Sequence, residues 1–156
     1  MISITANDIM VKRLITLSPE MDVHDAVKLL LKNRISGAPV VDAEGRYLGV
    51  FSERCCLGVI LDAAYEQLPT NKVGAFMDTQ AKTISADTQL LSIAQVFILT
   101  SARRLPVIDE SNRLLGQISR RDVIQAGMKQ INQGPARESS VLYLSALGNR
   151  QHAPIA

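Results

Sequence analysis

Between Val23 and Asn33 the apolar residues are Val23, Ala26, Val27, Leu30 and Leu31. This spacing lines one face of an α-helix, and polar residues fill the other face. The stretch predicts an amphipathic helix that stops at Ser36-Gly37. Ala38-Pro39-Val40-Val41 then reads as a short apolar strand. Asp42-Ala43-Glu44-Gly45 has turn chemistry, and Arg46-Tyr47-Leu48-Gly49-Val50-Phe51 returns as the second strand of a hairpin. Ser52 opens a second helix, expected to bury Leu57, Ile60, Leu61 and Ala64. Ahead of all this, Asp8-Ile9-Met10 reads as a helical lead-in and Ile15-Thr16-Leu17 as a brief extended piece. Ser18-Pro19-Glu20 reads as a turn, because proline fixes φ and serine caps the helix beyond it.

After Leu68-Pro69-Thr70-Asn71-Lys72 the pattern restarts. Thr83-Ile84-Ser85 answers Thr16-Leu17-Ser18, and Leu90, Ile93, Ala94, Phe97 and Ile98 answer the helical face. Leu105-Pro106-Val107-Ile108-Asp109 answers Ala38 to Asp42, and Arg113 to Ser119 answers Arg46 to Ser52. The shift is 67 residues throughout, without a gap. Setting Met10–Leu57 against Met77–Ile124, eleven of 48 positions are identical, where chance gives roughly three. The chain is therefore an internal duplication. A first repeat spans 8–66, a linker 67–74, a second repeat 75–130 and a C-terminal tail 131–156. Two units of this size are expected to pack face to face, since neither buries a full core alone. The tail is polar and breaker-rich apart from an apolar piece, Val141 to Leu147, which reads either as a frayed end or as a segment docking on a partner subunit.

Composition narrows the function. At 156 residues, 47% hydrophobic and 21% charged, the chain is ordinary folded material. Charged or polar residues interrupt every apolar run short of the roughly 18 to 20 residues of a membrane span. The N-terminus lacks the basic start and apolar core of a signal peptide. A net charge of +2 argues against nucleic-acid and anionic-membrane partners. Cys55 and Cys56 are adjacent, and neighbouring cysteines rarely bridge, which fits a reducing, cytoplasmic setting. There is no CxxC, histidine cluster, paired carboxylate or nucleophile beside a base, so neither a metal site nor an enzyme is expected. His24 lies on the polar side of its helix and His152 in the tail; both read as bystanders.

Candidate chemistry concentrates in the second copy. In Gly116-Gln117-Ile118-Ser119-Arg120-Arg121-Asp122 a glycine ends a strand, a serine starts a helix and an aspartate stands three residues on. The first copy, Gly49-Val50-Phe51-Ser52-Glu53-Arg54-Cys55, keeps the frame but has a cysteine in place of the acid. A carboxylate is acceptor-only with two oxygens, so it can take both hydroxyls of a ribose diol. A serine at a strand-to-helix junction, beside free N–H groups, makes an anion seat. The same two residues also suit a helix cap, and Arg103-Arg104 suit either phosphate or the end of a helix. Both pairs of readings stand at this point.

The twice-occurring apolar-Pro-Val-apolar-Asp stretch, followed by Gly-x-apolar-Ser in a strand, helix, strand, strand, helix order, resembles the CBS domain, named after cystathionine β-synthase. Two in tandem resemble a CBS pair, or Bateman module, and the resemblance covers roughly residues 8 to 130. It implies an α/β fold of two βαββα repeats packed through their sheets with pseudo-two-fold symmetry. It implies a regulatory module that binds adenosine-type ligands (AMP, ADP, ATP or S-adenosylmethionine) between the repeats and pairs into a disc-like homodimer. Carried over by position, Asp122 is the ribose-binding acid, with Ser119, Arg120 and Arg121 in the same turn. Gln117 stands where the family usually has an apolar residue and is expected to face the ligand. Arg103 and Arg104, ahead of Leu105-Pro106, match a His-Arg pair that meets phosphates in the γ subunits of AMP-activated kinase. The segments at Ile15-Thr16 and Thr83-Ile84 match those that contact the base. Ser36 and Gly37 replace the arginines in the first repeat, whose cleft is expected to be poorer in charge. No cofactor is required beyond the adenine nucleotide as regulatory ligand, and the client protein is not named by the residues. The cysteine at Cys55 keeps two further readings open: a ligand-free structural or dimerisation module, and a thiol-based sensor.

Overall fold

The computed structural model describes residues 3–65 and 71–132; the apolar piece at Val141 to Leu147, His152 and the core of the linker lie outside them. A short helix α1 (Ala6–Ile9) leads in. Helix α2 (Val23–Asn33) comes next. The Asp22 carboxylate caps it by accepting the His24 N–H at 2.7 Å. Arg34 ends it in the left-handed conformation, with φ 52°. Strands β1 (Gly37–Val41) and β2 (Tyr47–Ser52) form the hairpin, and α3 (Glu53–Ala64) closes the first unit. The second unit runs β3 (Ile84–Ser85), α4 (Leu90–Leu99), β4 (Arg104–Ile108), β5 (Leu114–Ser119) and α5 (Arg120–Asn132).

The hairpin registers repeat at the same shift as the sequence. Pro39 lies opposite Val50, Pro106 lies opposite Gln117, and each hairpin carries one irregularity at the equivalent position. Strand β3 runs parallel to β4. Its first-unit counterpart is a single bridge from Leu17 to Val40. The shared aspartates organise the two turns. Asp42 accepts the N–H groups of Glu44 and Arg46 at 3.0 and 2.9 Å, and Asp109 accepts those of Ser111 and Arg113 at 2.9 and 2.8 Å. Gly45 (φ 81°) and Asn112 (φ 64°) take the left-handed position each turn demands.

The two units exchange their lead-ins. Val11 and Gln117 bond each other's backbone at 2.9 and 3.0 Å, and Asp78 and Val50 do the same at 2.8 and 3.0 Å. Ala6 is buried in the core of the second unit, with Ile93, Leu105 and Ile118, whereas Val73 is buried in the core of the first, with Leu17, Leu30 and Phe51. This crossing explains the glycine of the repeated motif. A Cβ on Gly49 would stand 2.6 Å from the Asp78 carbonyl oxygen, and one on Gly116 would stand 2.9 Å from that of Val11. Near the pseudo-dyad, the Tyr47 N–H donates to the Asn112 carbonyl at 2.8 Å and the Leu114 N–H to that of Gly45 at 3.0 Å.

One expectation is corrected. Leu57, Ile60 and Leu61 are not on the buried side of α3 but 61%, 63% and 59% exposed, and Ala64 is exposed too. The helix packs instead through Val59, Cys55 and Cys56. It carries apolar residues on two opposite faces, and the smaller ones fit the tight space over the hairpin. Ile98 likewise leaves the buried face formed by Leu90, Ile93 and Phe97 and is 81% exposed, and its counterpart Leu31 leaves the buried face of α2 and is 71% exposed.

Candidate nucleotide cleft

A recess of about 710 Å³ lies between the two units. That is within the range of small-molecule pockets, about 300 to 1,000 Å³. Its wall from the first unit is Ser36 and Gly37 at the start of β1, Val50 on β2, and Ser52-Glu53-Arg54 where β2 turns into α3. The second unit supplies Asp78 and Gln80 to Lys82 of the crossing segment, the loop Thr100 to Arg103, Arg104 and Pro106 on β4, and Gln117 on β5.

Local structure places these groups. Ser52 caps α3, its hydroxyl accepting the Cys55 N–H at 3.4 Å. The Glu53 N–H bonds the Ser36 carbonyl at 2.9 Å, which ties the helix start to the strand entrance. Arg104 reaches across the interface, and its Nη1 donates to the Gly37 carbonyl at 3.0 Å. Gly37 is the position that Arg104 itself answers at the 67-residue shift. The basic side chains Arg54, Lys82 and Arg103 form no hydrogen bond or ion pair among the described residues. Four cations against two carboxylates, Glu53 and Asp78, give the wall a net positive charge.

The residues singled out from the sequence divide. Arg103, Arg104, Pro106 and Gln117 come together in this cleft. Asp122 does not join them; it lines a second recess of about 690 Å³ with Ser3, Ile4, Asp8, Gln125 and Lys129. Its Oδ2 accepts the Ser119 N–H at 2.8 Å, and the Asp122 N–H donates to the Ser119 hydroxyl at 3.2 Å, a reciprocal helix cap. The other carboxylate oxygen has no partner among the described residues. Arg120 donates to the Ala102 carbonyl at 3.1 Å. Ser119, Arg120, Ile15 and Thr16 line neither recess. Ile15's counterpart Lys82 does line the larger one. At Cys55 the thiol lies 3.4 Å from the Ser52 hydroxyl and 3.7 Å from the Val50 carbonyl, so it packs onto its own strand end.

The cleft at the first-unit helix is thus not poor in charge. Comparing positions repeat by repeat assigns Arg103 and Arg104 to the helix start of their own unit. The fold sets them across from Ser52-Glu53-Arg54, because this cleft is walled by both units. Ser36, Gly37, Ser52, Arg54 and Lys82 are the lining residues this comparison misses, and the crossing that brings Lys82 in leaves no mark in local periodicity. Among the described residues no helix is long and apolar enough to cross a membrane, and no cluster of three or more metal-ligating side chains forms.

Comparison with known proteins places this geometry. The CBS domain profile matches residues 6–62 and again 73–129. The chain is 29% identical over 120 residues to inosine-5'-monophosphate dehydrogenase of Methanocaldococcus jannaschii, covering 77% of this chain but only 23% of that enzyme. A CBS domain-containing protein of Dictyostelium discoideum is 27% identical over 141 residues, covering 85% of this chain and 97% of its own length. Among solved structures, CBSX2 of Arabidopsis thaliana in complex with AMP superposes with a TM-score of 0.73 and 30% identity, over 83% of this chain and 98% of that one.

Proposed function

The chain belongs to the CBS domain family, and on that footing we propose that it is a regulatory CBS pair that holds an adenine nucleotide between its repeats. The ligand class is AMP, ADP or ATP, and its binding biases the arrangement of the repeats, and through it the homodimer or a client protein. The observation that carries this reading is the 710 Å³ inter-repeat cleft with Arg54, Lys82, Arg103 and Arg104 in its wall. Guanidinium groups favour a charged phosphate over an uncharged nucleoside. The crystal structure of CBSX2 with AMP supports the same ligand class. Asp122, which lines the second recess and not this cleft, is the proposed ribose acceptor for a nucleotide held there, on the ground that its cap uses one oxygen and leaves the other open.

Thermal melting against AMP, ADP, ATP, NAD and S-adenosylmethionine tests the proposal. A nucleotide at 100 times its Kd adds about 2.7 kcal/mol, a rise in Tm of roughly 2 to 6 °C. Melts indifferent to the whole panel overturn it.

A second reading, a ligand-free structural module whose function is dimerisation, draws on two observations. The Asp122 carboxylate turns onto its own main chain. Leu57, Ile60 and Leu61 on α3, with Ile124 and Met128 on α5, leave apolar side chains exposed, as at surfaces that meet a partner. Tight self-association without any nucleotide response favours this reading over the first.

A further inference from the structure

We infer that the basic cleft grades its ligands by phosphate number, binding ATP more tightly than ADP and ADP more tightly than AMP, with the phosphate chain as the principal handle. The inference rests on the nucleotide reading above and adds the specificity of that site.

The distribution of charge carries it. Arg103 and Arg104 come from the loop and strand of one unit, Arg54 from the helix start of the other, and Lys82 from the crossing segment. Four cations drawn from a loop, a strand, a helix start and the crossing segment offer more donors than one phosphate needs, and they suit an extended polyanion. Arg54, Lys82 and Arg103 have no acid or carbonyl partner among the described residues, so binding an anion breaks no internal ion pair of theirs. Arg104 is held by Gly37, which fixes its guanidinium at the boundary of the units and leaves its other N–H groups to donate. The start of α3, capped by Ser52, adds the positive end of a twelve-residue helix on the same wall. The grip on the sugar is weaker here. The position of Asp122 is taken by Cys55, whose thiol is turned toward Ser52 and Val50. Of the two acids in the wall, Asp78 already accepts the Gln80 N–H at 2.8 Å.

Titration calorimetry in magnesium-free buffer, with AMP, ADP, ATP and inorganic tripolyphosphate as titrants, tests the inference on the full chain and on Lys82→Glu/Arg103→Glu. Neither side chain bonds to another described residue, so the substitutions remove no internal contact of that kind, and circular dichroism checks that the variant is folded. Affinity is expected to rise about tenfold per added phosphate, the scale of one charge-assisted hydrogen bond. Tripolyphosphate is expected to compete with ATP, and the double variant to lose the gradation; added salt flattens it as well. If AMP binds as tightly as ATP, or the variant keeps the gradation, the inference fails while the nucleotide reading stands. If tripolyphosphate binds and no adenylate does, the gradation and the nucleotide reading both fail, and the cleft holds inorganic polyanions alone. If nothing binds, both fail.

Discussion

Asp122 carries two claims that separate experimentally. As the cap of α5 it satisfies the Ser119 N–H, and Asp122→Ala should cost about 1 kcal/mol in urea unfolding without ligand. As a ribose acceptor it should make the protein prefer adenosine phosphates to their 2′-deoxy forms, and the substitution should erase that preference. A variant that loses stability but keeps its preference leaves Asp122 a cap and nothing more. Tyr47 offers a test of burial. Its hydroxyl has no partner among the described residues. Burial, with the Asp78 charge nearby, pushes its pKa from 10.0 up to about 12. The unfolded chain therefore gives up this proton first. The contribution is whole below pH 10 and is lost as pH rises toward 12. Stability should fall more between about pH 9 and about pH 11 for the wild type than for Tyr47→Phe; equal losses would show that the ring is more open than the fold implies.

At the scale of elements, the glycine of the repeated Gly-x-apolar-Ser motif belongs to the crossing of chains rather than to a ligand. Gly116→Ala places a methyl carbon against Met10 and the Val11 carbonyl. It should cost about 1 to 3 kcal/mol, readable as a lowered urea midpoint; an unchanged midpoint would mean that the lead-in does not hold to β5. The outward apolar stripe of α3 makes a further test. Ile60→Glu/Leu61→Glu should leave folding nearly unchanged, since both positions are more than half exposed, yet shift the sedimentation of the proposed homodimer to monomer. A variant that stays dimeric places the interface on another face. These elements also show what is legible in sequence. Helix α2 and both hairpins are read from periodicity and turn residues, because their partners are near in the chain. The direction of α3 is not, because it carries apolar side chains on both faces and only the packing chooses between them.

Over the whole molecule, the 67-residue shift makes the duplication and the βαββα frame readable from sequence. The exchange of lead-ins is not readable: local patterning predicts an element at Asp8-Ile9-Met10 but cannot tell which unit's core will bury Ala6. The same blindness misplaces the arginine pair. Type and position make Arg103 and Arg104 candidates for phosphate contact. Their neighbours across the cleft, Ser52 and Arg54, come from the other repeat, 49 or more residues away in the chain. An asymmetric pair results. A basic cleft sits at the helix that has a cysteine in place of the acid, and the acid of the second unit caps its own helix beside a separate recess.

A crystal structure of the protein grown with ATP tests this account most directly. The nucleotide should occupy the inter-repeat cleft, its phosphates among Arg54, Lys82, Arg103 and Arg104. Nucleotide-free crystals at saturating ATP, with solvent alone between those side chains, would contradict it.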